Sequence, residues 1–563
     1  MDTLSHLSGE PDGSSDSVPR RSAWDTFLLP WRKLSAGAAR GRLFFVACLL
    51  LICGTTAFIG IVPTWVFGHD NFFLLDNGWR VVCGQRPHLD FYSPWGPVTF
   101  LIVALGMFVS NASPNALGYG SAIFGLLVGL WAYRLGRNRL EAAPRILLGL
   151  YLALLVTAPY PLGTSPLLST HAMVYNRYGF ALVGLVLLEC LQRSEGTEEN
   201  AGEHWGGIST GAAMALALFL KASYFSVCVP IVVASLVFRG LNRRRLGGLA
   251  AAFGVVALML LAYLRFDVLK IGQDLWMAAV ARSKSLSRLK LIVVLSSQVP
   301  FLAVVIALSL YGTAAKKEAG RWLEEQQLLI WGLLIFIADA ALVYSNMQVR
   351  GMPLLGVLGI VVASRMTAER RRAGAAESRT EKRRRLFALM LCGFLSLPQL
   401  CLDLVGLGYG AFEKAHPSAE MSRVRFSVPR LRSMILYDGP SGEHSNWGVY
   451  TARINEGIAL LKQYCGPGDR VLNLDMVNPF PYAMGWRPAR GGMAAAAYNY
   501  LFTDELRPSD EAFFGDTTVV MVPKQPALEG RYYDGYYRIY HPALLERFRL
   551  AAESESWRLY KLK

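Results

Sequence analysis

Long apolar runs separated by short polar connections set the rhythm of this chain from residue 43 to residue 407. Crossing the roughly 30 Å hydrocarbon core of a bilayer as a helix takes roughly 20 mostly apolar residues. By that measure spanning helices are predicted at 43–67, 117–135, 146–162, 178–191, 208–220, 225–238, 246–263, 291–310, 328–344, 353–363 and 386–407. A further apolar run, 98–109, is too short and ends in Ser110-Asn111-Ala112-Ser113-Pro114, which predicts a helix lying at the membrane surface. After residue 408 the pattern changes to alternation. A helical stretch at 455–464, a Gly466-Pro467-Gly468-Asp469 turn, strands at 470–475 and 517–522, and a closing helix (542–548) and strand (557–562) predict a small α/β domain. Its glycines precede a strand instead of opening a helix, so they do not form a phosphate-binding fingerprint.

Composition agrees with the pattern. Of 563 residues, 53% are hydrophobic and 17% charged, with a mean hydropathy of +0.32, so a polytopic α-helical membrane protein with about eleven spans is expected. The net charge of +16 does not point to nucleic acid. The basic residues fall on alternate connections: Arg32–Arg42, Arg134–Arg139, Arg239–Arg245, Lys316–Arg321, and Arg370–Arg372 with Lys382–Arg385. That is how cytoplasmic loops are marked, so the N-terminus is placed inside and both the 68–97 loop and the 408–563 domain outside, at the plasma membrane. Arg282, Lys284, Arg288 and Lys290 break the register in an outer connection: either they bind something anionic or the register is locally wrong. Residues 1–42 read as a disordered cytoplasmic tail, with no signal-peptide core. The eight cysteines make no CxxC or His-Cys cluster, and Cys83 with Cys465 is the one pairing open on the outer side.

Between the first span and the short run lies His69–Pro97, HDNFFLLDNGWRVVCGQRPHLDFYSPWGP, polar, aromatic and acid-bearing. Asp70 follows the span and precedes Phe72, Phe73, Leu75, Trp79, Val81 and Val82, spaced as on a short amphipathic helix. Such a helix holds the carboxylate at the interface facing an aqueous cavity; the competing role for Asp70 is a helix N-cap.

The run Asp70-Asn71-Phe72-Phe73, then Gly84-Gln85-Arg86-Pro87, Asp90-Phe91 and Pro94-Trp95-Gly96-Pro97, resembles the first outer loop of GT-C glycosyltransferases. That group includes protein O-mannosyltransferases and the aminoarabinose transferase of lipid A. The resemblance places Asp70 at the family's essential carboxylate and Asp90 at its second loop aspartate. Asn71 stands where many members carry Glu, and Asp76-Asn77-Gly78-Trp79 offers a competing match, so Asp76 is the second choice for the base.

The resemblance implies transfer of a sugar, with inversion and no covalent sugar–enzyme intermediate, from a polyprenyl-phosphate donor to a lipid, glycan or protein acceptor on the outer face. A carboxylate there takes the acceptor's proton, and cations hold the departing phosphate. Arg80 and Arg86 in the loop, Arg177, Lys221 and Arg350 at span ends are candidates, with Lys221 and Arg177 preferred; each taken singly also suits a side chain snorkelling to the interface. His171 is a candidate substrate contact. Asp339 and Asp403 lie within spans, where each either pairs with a base or lines a cavity. The tyrosine-rich 531–540 stretch suits carbohydrate contact or a membrane interface. No obligatory metal is expected, although Asp70, Asp76 and Asp90 offer oxygen ligands for a divalent cation. The alternatives are a transporter or flippase of lipid-linked sugars, against which the lack of internal repeats speaks, and a non-catalytic relative in envelope assembly.

Overall fold

A computed structural model describes residues 38–193, 199–285, 287–314, 326–346, 348, 350–373, 378–418, 424–438, 447–527 and 530–563. The membrane part runs α1 (Ala38–Ile59), α2 (Gly68–Val82), α3 (Pro97–Val109), α4 (Ala116–Leu135), α5 (Ala142–Thr157), α6 (Val174–Leu191), α7 (Glu199–Leu220), α8 (Ala222–Arg239), α9 (Arg243–Tyr263), α10 (Val268–Ser285), α11 (Arg288–Ala314), α12 (Gln327–Ser345), α13 (Pro353–Ala373) and α14 (Arg379–Ala415). Nine of the eleven expected spans fall within one of these helices, while 43–67 and 146–162 run past the ends of α1 and α5 at Ile59 and Thr157. Eight, namely α1, α4, α6, α8, α9, α11, α12 and α14, are long and apolar enough to cross a membrane. The apolar helix α5 has 16 residues, and α7 and α13 carry polar or basic ends.

Local chemistry starts these helices where it should. The Asn242 side chain accepts from the Arg244 and Arg245 amides to cap α9, and a Ser378/Glu381 capping box opens α14. Asp339, buried within α12, accepts from the Leu354 and Leu355 amides at 3.3 and 3.0 Å and so caps α13 from a neighbouring helix. Asp403 on α14 pairs with Arg177 on α6 at 2.9 Å. Helix α3 turns back on α4 through close backbone approach: a Cβ on Gly106 would stand 2.0 Å from the Ala116 carbonyl. The most enclosed helix is α6, every residue of which is buried.

Beyond α14 the chain forms a four-stranded sheet in the order β1-β2-β4-β3, with β1 (Val471–Asn473), β2 (Val519–Pro523), β3 (Phe548–Glu553) and β4 (Trp557–Leu562). β1 pairs parallel to β2; β4 runs antiparallel to both β2 and β3. Helices α15 (Trp447–Tyr464) and α16 (Arg531–Arg547) flank it. Within α16, Tyr540 stacks on Phe513 at 3.8 Å and Tyr536 is buried, so these tyrosines serve the domain core.

Several elements differ from expectation, among them the helix expected at 455–464, which begins at Trp447. α1 begins at Ala38, inside the expected 1–42 tail, whose residues 1–37 lie outside the described ones. α14 runs past 408 to Ala415, α16 starts well ahead of Pro542, and β3 was not anticipated. Cys83 and Cys465 are both free thiols, which removes the pairing considered for them.

The domain is seated directly on the first loop. Thr64 and Leu436 form a parallel bridge, and Tyr92 bridges Met493. Trp79 Nε1 donates to the Trp486 carbonyl at 2.8 Å, Asn77 Nδ2 to the Ala494 carbonyl at 2.9 Å, and Gln85 Nε2 to the Pro488 carbonyl at 2.8 Å. Loop and domain therefore lie on one side of the helical layer.

Candidate active site at the first loop

Phe67, in the left-handed region with φ 54°, turns the chain into α2 and occupies its N-cap position. Asp70 is thus the third residue of the helix and not its cap. Its carboxylate stands in the first turn, where unpaired amide groups favour negative charge. The side chain is 15% exposed, and His69 Nε2 lies 3.4 Å from its Oδ1. Burial pushes the Asp70 carboxyl up to about 7.

Three phenols lie within electrostatic reach of Asp70: Tyr175 at the start of α6, Tyr450 on α15, and Tyr500 in the domain segment that meets the loop. Tyr175 packs edge-on to Trp95 at 5.7 Å, and Trp95 lies 4.6 Å from Phe73, so loop aromatics floor the site.

Cations close the other side. Lys221, extended between α7 and α8, sits 5.2 Å over the Tyr175 ring and donates to Asn346 Oδ1. Lys290 Nζ donates to the Tyr344 carbonyl at 3.0 Å and the Asn346 carbonyl at 2.5 Å. Arg282 on α10 donates to the Ser345 carbonyl at 3.0 Å and stacks 4.1 Å from the Tyr500 ring. All three gather at the C-terminal end of α12, whose carbonyls favour positive charge. Burial, together with the charges of Arg282 and Lys290, pushes Lys221 down to about 7. Gly96 sets the spacing: its amide bonds the Leu220 carbonyl at 3.1 Å, and a Cβ there would stand 2.0 Å from the Phe219 carbonyl. Only glycine lets the Pro94–Pro97 corner press against the chain end that carries Lys221.

The remaining expected residues are placed elsewhere. Asp76 is buried against Arg80, Nε to Oδ2 at 3.0 Å, and Arg80 also donates to Gln85 Oε1 and to the Ala489 and Gly491 carbonyls. The pair bolts α2 to the domain. Asp90 accepts from the Arg86 amide at 2.7 Å and lies 3.5 Å from Arg490, while the Arg86 guanidinium sits over Tyr263 at 5.7 Å. His171 is buried, accepts from the Val62 amide at 3.2 Å, and is pushed down to about 4 by burial. Arg177, fully buried, donates to Asp403 and to the Tyr160 and Leu155 carbonyls. Arg350 is exposed, and its carbonyl abuts Gly163. Of the expected set, Asp70 and Lys221 are the two brought to one site. Arg282 and Lys290, two of the residues that break the charge register, lie beside Lys221 at the end of α12, with Arg282 stacked on Tyr500 of the domain. Tyr500 and Tyr450 gave no local signal in the sequence.

The three loop aspartates do not converge, and among the described residues no group of three or more His, Cys, Asp or Glu is arranged to hold a metal ion.

No family model matches the chain, and no curated protein matches it. Among solved structures it is similar to ArnT from Cupriavidus metallidurans bound to undecaprenyl phosphate, at 13% identity and TM-score 0.48, over 93% of this chain and 98% of that one. It is also similar to the archaeal oligosaccharyltransferase AglB from Archaeoglobus fulgidus in complex with an inhibitory peptide and a dolichol-phosphate, at 11% identity and TM-score 0.36, over 86% and 69%.

Proposed function

We propose that this protein is a membrane-embedded glycosyltransferase that moves a sugar from a polyprenyl-phosphate donor to an acceptor on the extracytoplasmic face, with Asp70 as general base. The observation that supports the reading is that the rings of Tyr175 and Tyr500 lie near the partly buried Asp70 carboxylate and also carry Lys221 and Arg282, with Lys290 bound beside Lys221 at Asn346. Inverting transfer needs this division of charge. A base stands on the acceptor side, and positive charge stands where the phosphate leaves with the electron pair of the broken sugar–oxygen bond.

Asp70 removes the acceptor proton as the acceptor oxygen attacks the anomeric carbon. The phosphate oxygens gain negative charge as they depart, and Lys221, Lys290 and Arg282 receive it. Asp76 has the different task of neutralising Arg80, and Asp90 shapes the Arg86 turn. The acceptor is a lipid, a glycan or a protein.

Replacing Asp70 by Asn tests the reading with a radiolabelled polyprenyl-phosphate sugar. The expected result is donor binding like that of the wild type with transfer lowered by about 10² to 10⁴. Retained transfer removes Asp70 from the role, and retained movement of the lipid-linked sugar without any bond made would turn the reading toward a transporter.

A further inference from the structure

At the opposite end of α4 and α6 from the first loop, about 30 Å away along the 20 residues of α4, a cavity opens among arginines. Its volume is about 400 Å³, and its walls include Arg137, Arg139, Arg145, Arg365 and Arg371 against the single carboxylate of Glu141. The residues come from the α4–α5 connection, the end of α6 and the basic end of α13.

Three of these guanidiniums, those of Arg139, Arg145 and Arg365, are held by neighbouring groups. Arg145 lies 4.5 Å over the Tyr133 ring and donates to its hydroxyl at 3.2 Å, which leaves its buried Nε without a partner. Arg365 donates to Gln192 Oε1 and to the Leu191 carbonyl. Arg139 forms the rear wall and belongs to a buried network in which three arginines, Arg139, Arg239 and Arg245, share two carboxylates, Glu189 and Glu203. That network is itself cationic by one charge, so it adds to the field of the cavity instead of cancelling it.

Helix α5 adds its N-terminus. Ala142 lies in the cavity wall, and Glu141 gives the helix no side-chain cap because its carboxylate turns to Arg371 at 2.5 Å. A helix start, planar guanidinium donors and a surplus of positive charge around a hollow of about 400 Å³ make a receptor for a phosphate group. None of these residues touches the Asp70 site.

We infer that this cavity is a second, non-catalytic binding site for a phosphate-bearing ligand on the face opposite the transfer site. The shared chemistry is a phosphate monoester or diester, and two sources supply it: the headgroup of an anionic lipid in the nearer leaflet, or a soluble phosphate compound. Basic pockets between helices at this level of a membrane protein suit the first.

The test uses the full-length protein, purified and delipidated, with two variants. Arg137→Gln with Arg145→Gln removes cavity charge without touching the Glu189–Glu203 network. Ala142→Asp places a carboxylate in the first turn of α5, which favours the helix but opposes an anion. In the lipid arm, nanodiscs containing phosphatidylglycerol or phosphatidylcholine are compared by native mass spectrometry. Wild type should retain phosphatidylglycerol at least about 10-fold more tightly than either variant, with phosphatidylcholine retained equally by all three. In the soluble arm, inorganic phosphate or pyrophosphate is titrated against the thermal midpoint. A saturable rise in wild type that both variants lose assigns the site to a soluble phosphate. If wild type and Ala142→Asp behave alike in both arms, the inference is overturned; the aspartate variant decides the matter should the double arginine variant fail to fold.

Discussion

The two groups at the centre of the proposed chemistry are tuned toward the same pH from opposite directions. Asp70 is raised to about 7 by burial, and Lys221 is lowered to about 7 by burial and by Arg282 and Lys290. Transfer needs the carboxylate ionised and the amine charged, so kcat/KM should rise with pH through about 7 on account of Asp70 and fall beyond about 7 on account of Lys221. A bound phosphate draws the Lys221 proton back, so kcat should keep the acid limb and lose much of the alkaline one. Lys221→Arg, whose charge persists at every accessible pH, should remove the alkaline limb from kcat/KM as well. Steady-state profiles between pH 5 and pH 9, on the order of the range where both groups titrate, check this; an unchanged alkaline limb in Lys221→Arg would take Lys221 out of phosphate binding. Stability runs opposite to the acid limb of activity. With Asp70 raised in the folded state, the unfolded chain gives up its proton first, so stability declines as pH climbs toward 7, and Asp70→Asn should be spared that decline.

Asp70 was singled out by its place after the first span and by the resemblance of its loop, and Lys221 because it interrupts an apolar run. Arg282 and Lys290 announced themselves as violations of the charge register. Arg177 misled for a physical reason: its partner Asp403 lies 226 residues away in sequence, so the ion pair that consumes it leaves no local mark. The same distance problem hides Tyr450 and Tyr500.

At the scale of elements, the spans were readable wherever roughly 20 apolar residues run together, since the bilayer imposes that length. α10 was not: Val268–Ser285 carries Lys270, Asp274, Arg282 and Lys284 among its apolar residues and has no spanning signature. It is pinned by Asp274, which meets His88 Nδ1 at 2.9 Å and the Ser93 amide at 3.0 Å, and this delivers Arg282 to the site. α2 is positioned by its bolt to the domain. Arg80→Met removes the guanidinium that faces Asp76 and the Ala489 and Gly491 carbonyls, leaving a buried carboxylate alone; the expected cost is about 3 to 5 kcal/mol. Adding Asp76→Asn should restore a substantial part, because the stranded charge is then gone. Thermal unfolding of the two variants in one detergent measures the difference, and equal losses would mean that the pair's charges are not coupled.

For the whole molecule, sidedness ties the parts together. The 64–97 segment and the C-terminal domain share a face by direct bonding, while the ends of α4, α6 and α13 that build the arginine cavity lie on the other face. The proposed chemistry requires the first face to be extracytoplasmic, because the basic connections mark the second as cytoplasmic. Exposed positions on each face make the arrangement measurable: Glu555 in the domain and Arg383 at the start of α14. In a cysteine-free background, Glu555→Cys should react with a membrane-impermeant maleimide in intact cells, and Arg383→Cys should react only after permeabilisation. The reverse pattern would carry Asp70 into the cytoplasm and defeat the proposed transfer. Labelling of both in intact cells would break the single-layer arrangement itself, since α14 connects position 383 to the domain side through the 37 residues of Arg379–Ala415, about 55 Å of helix.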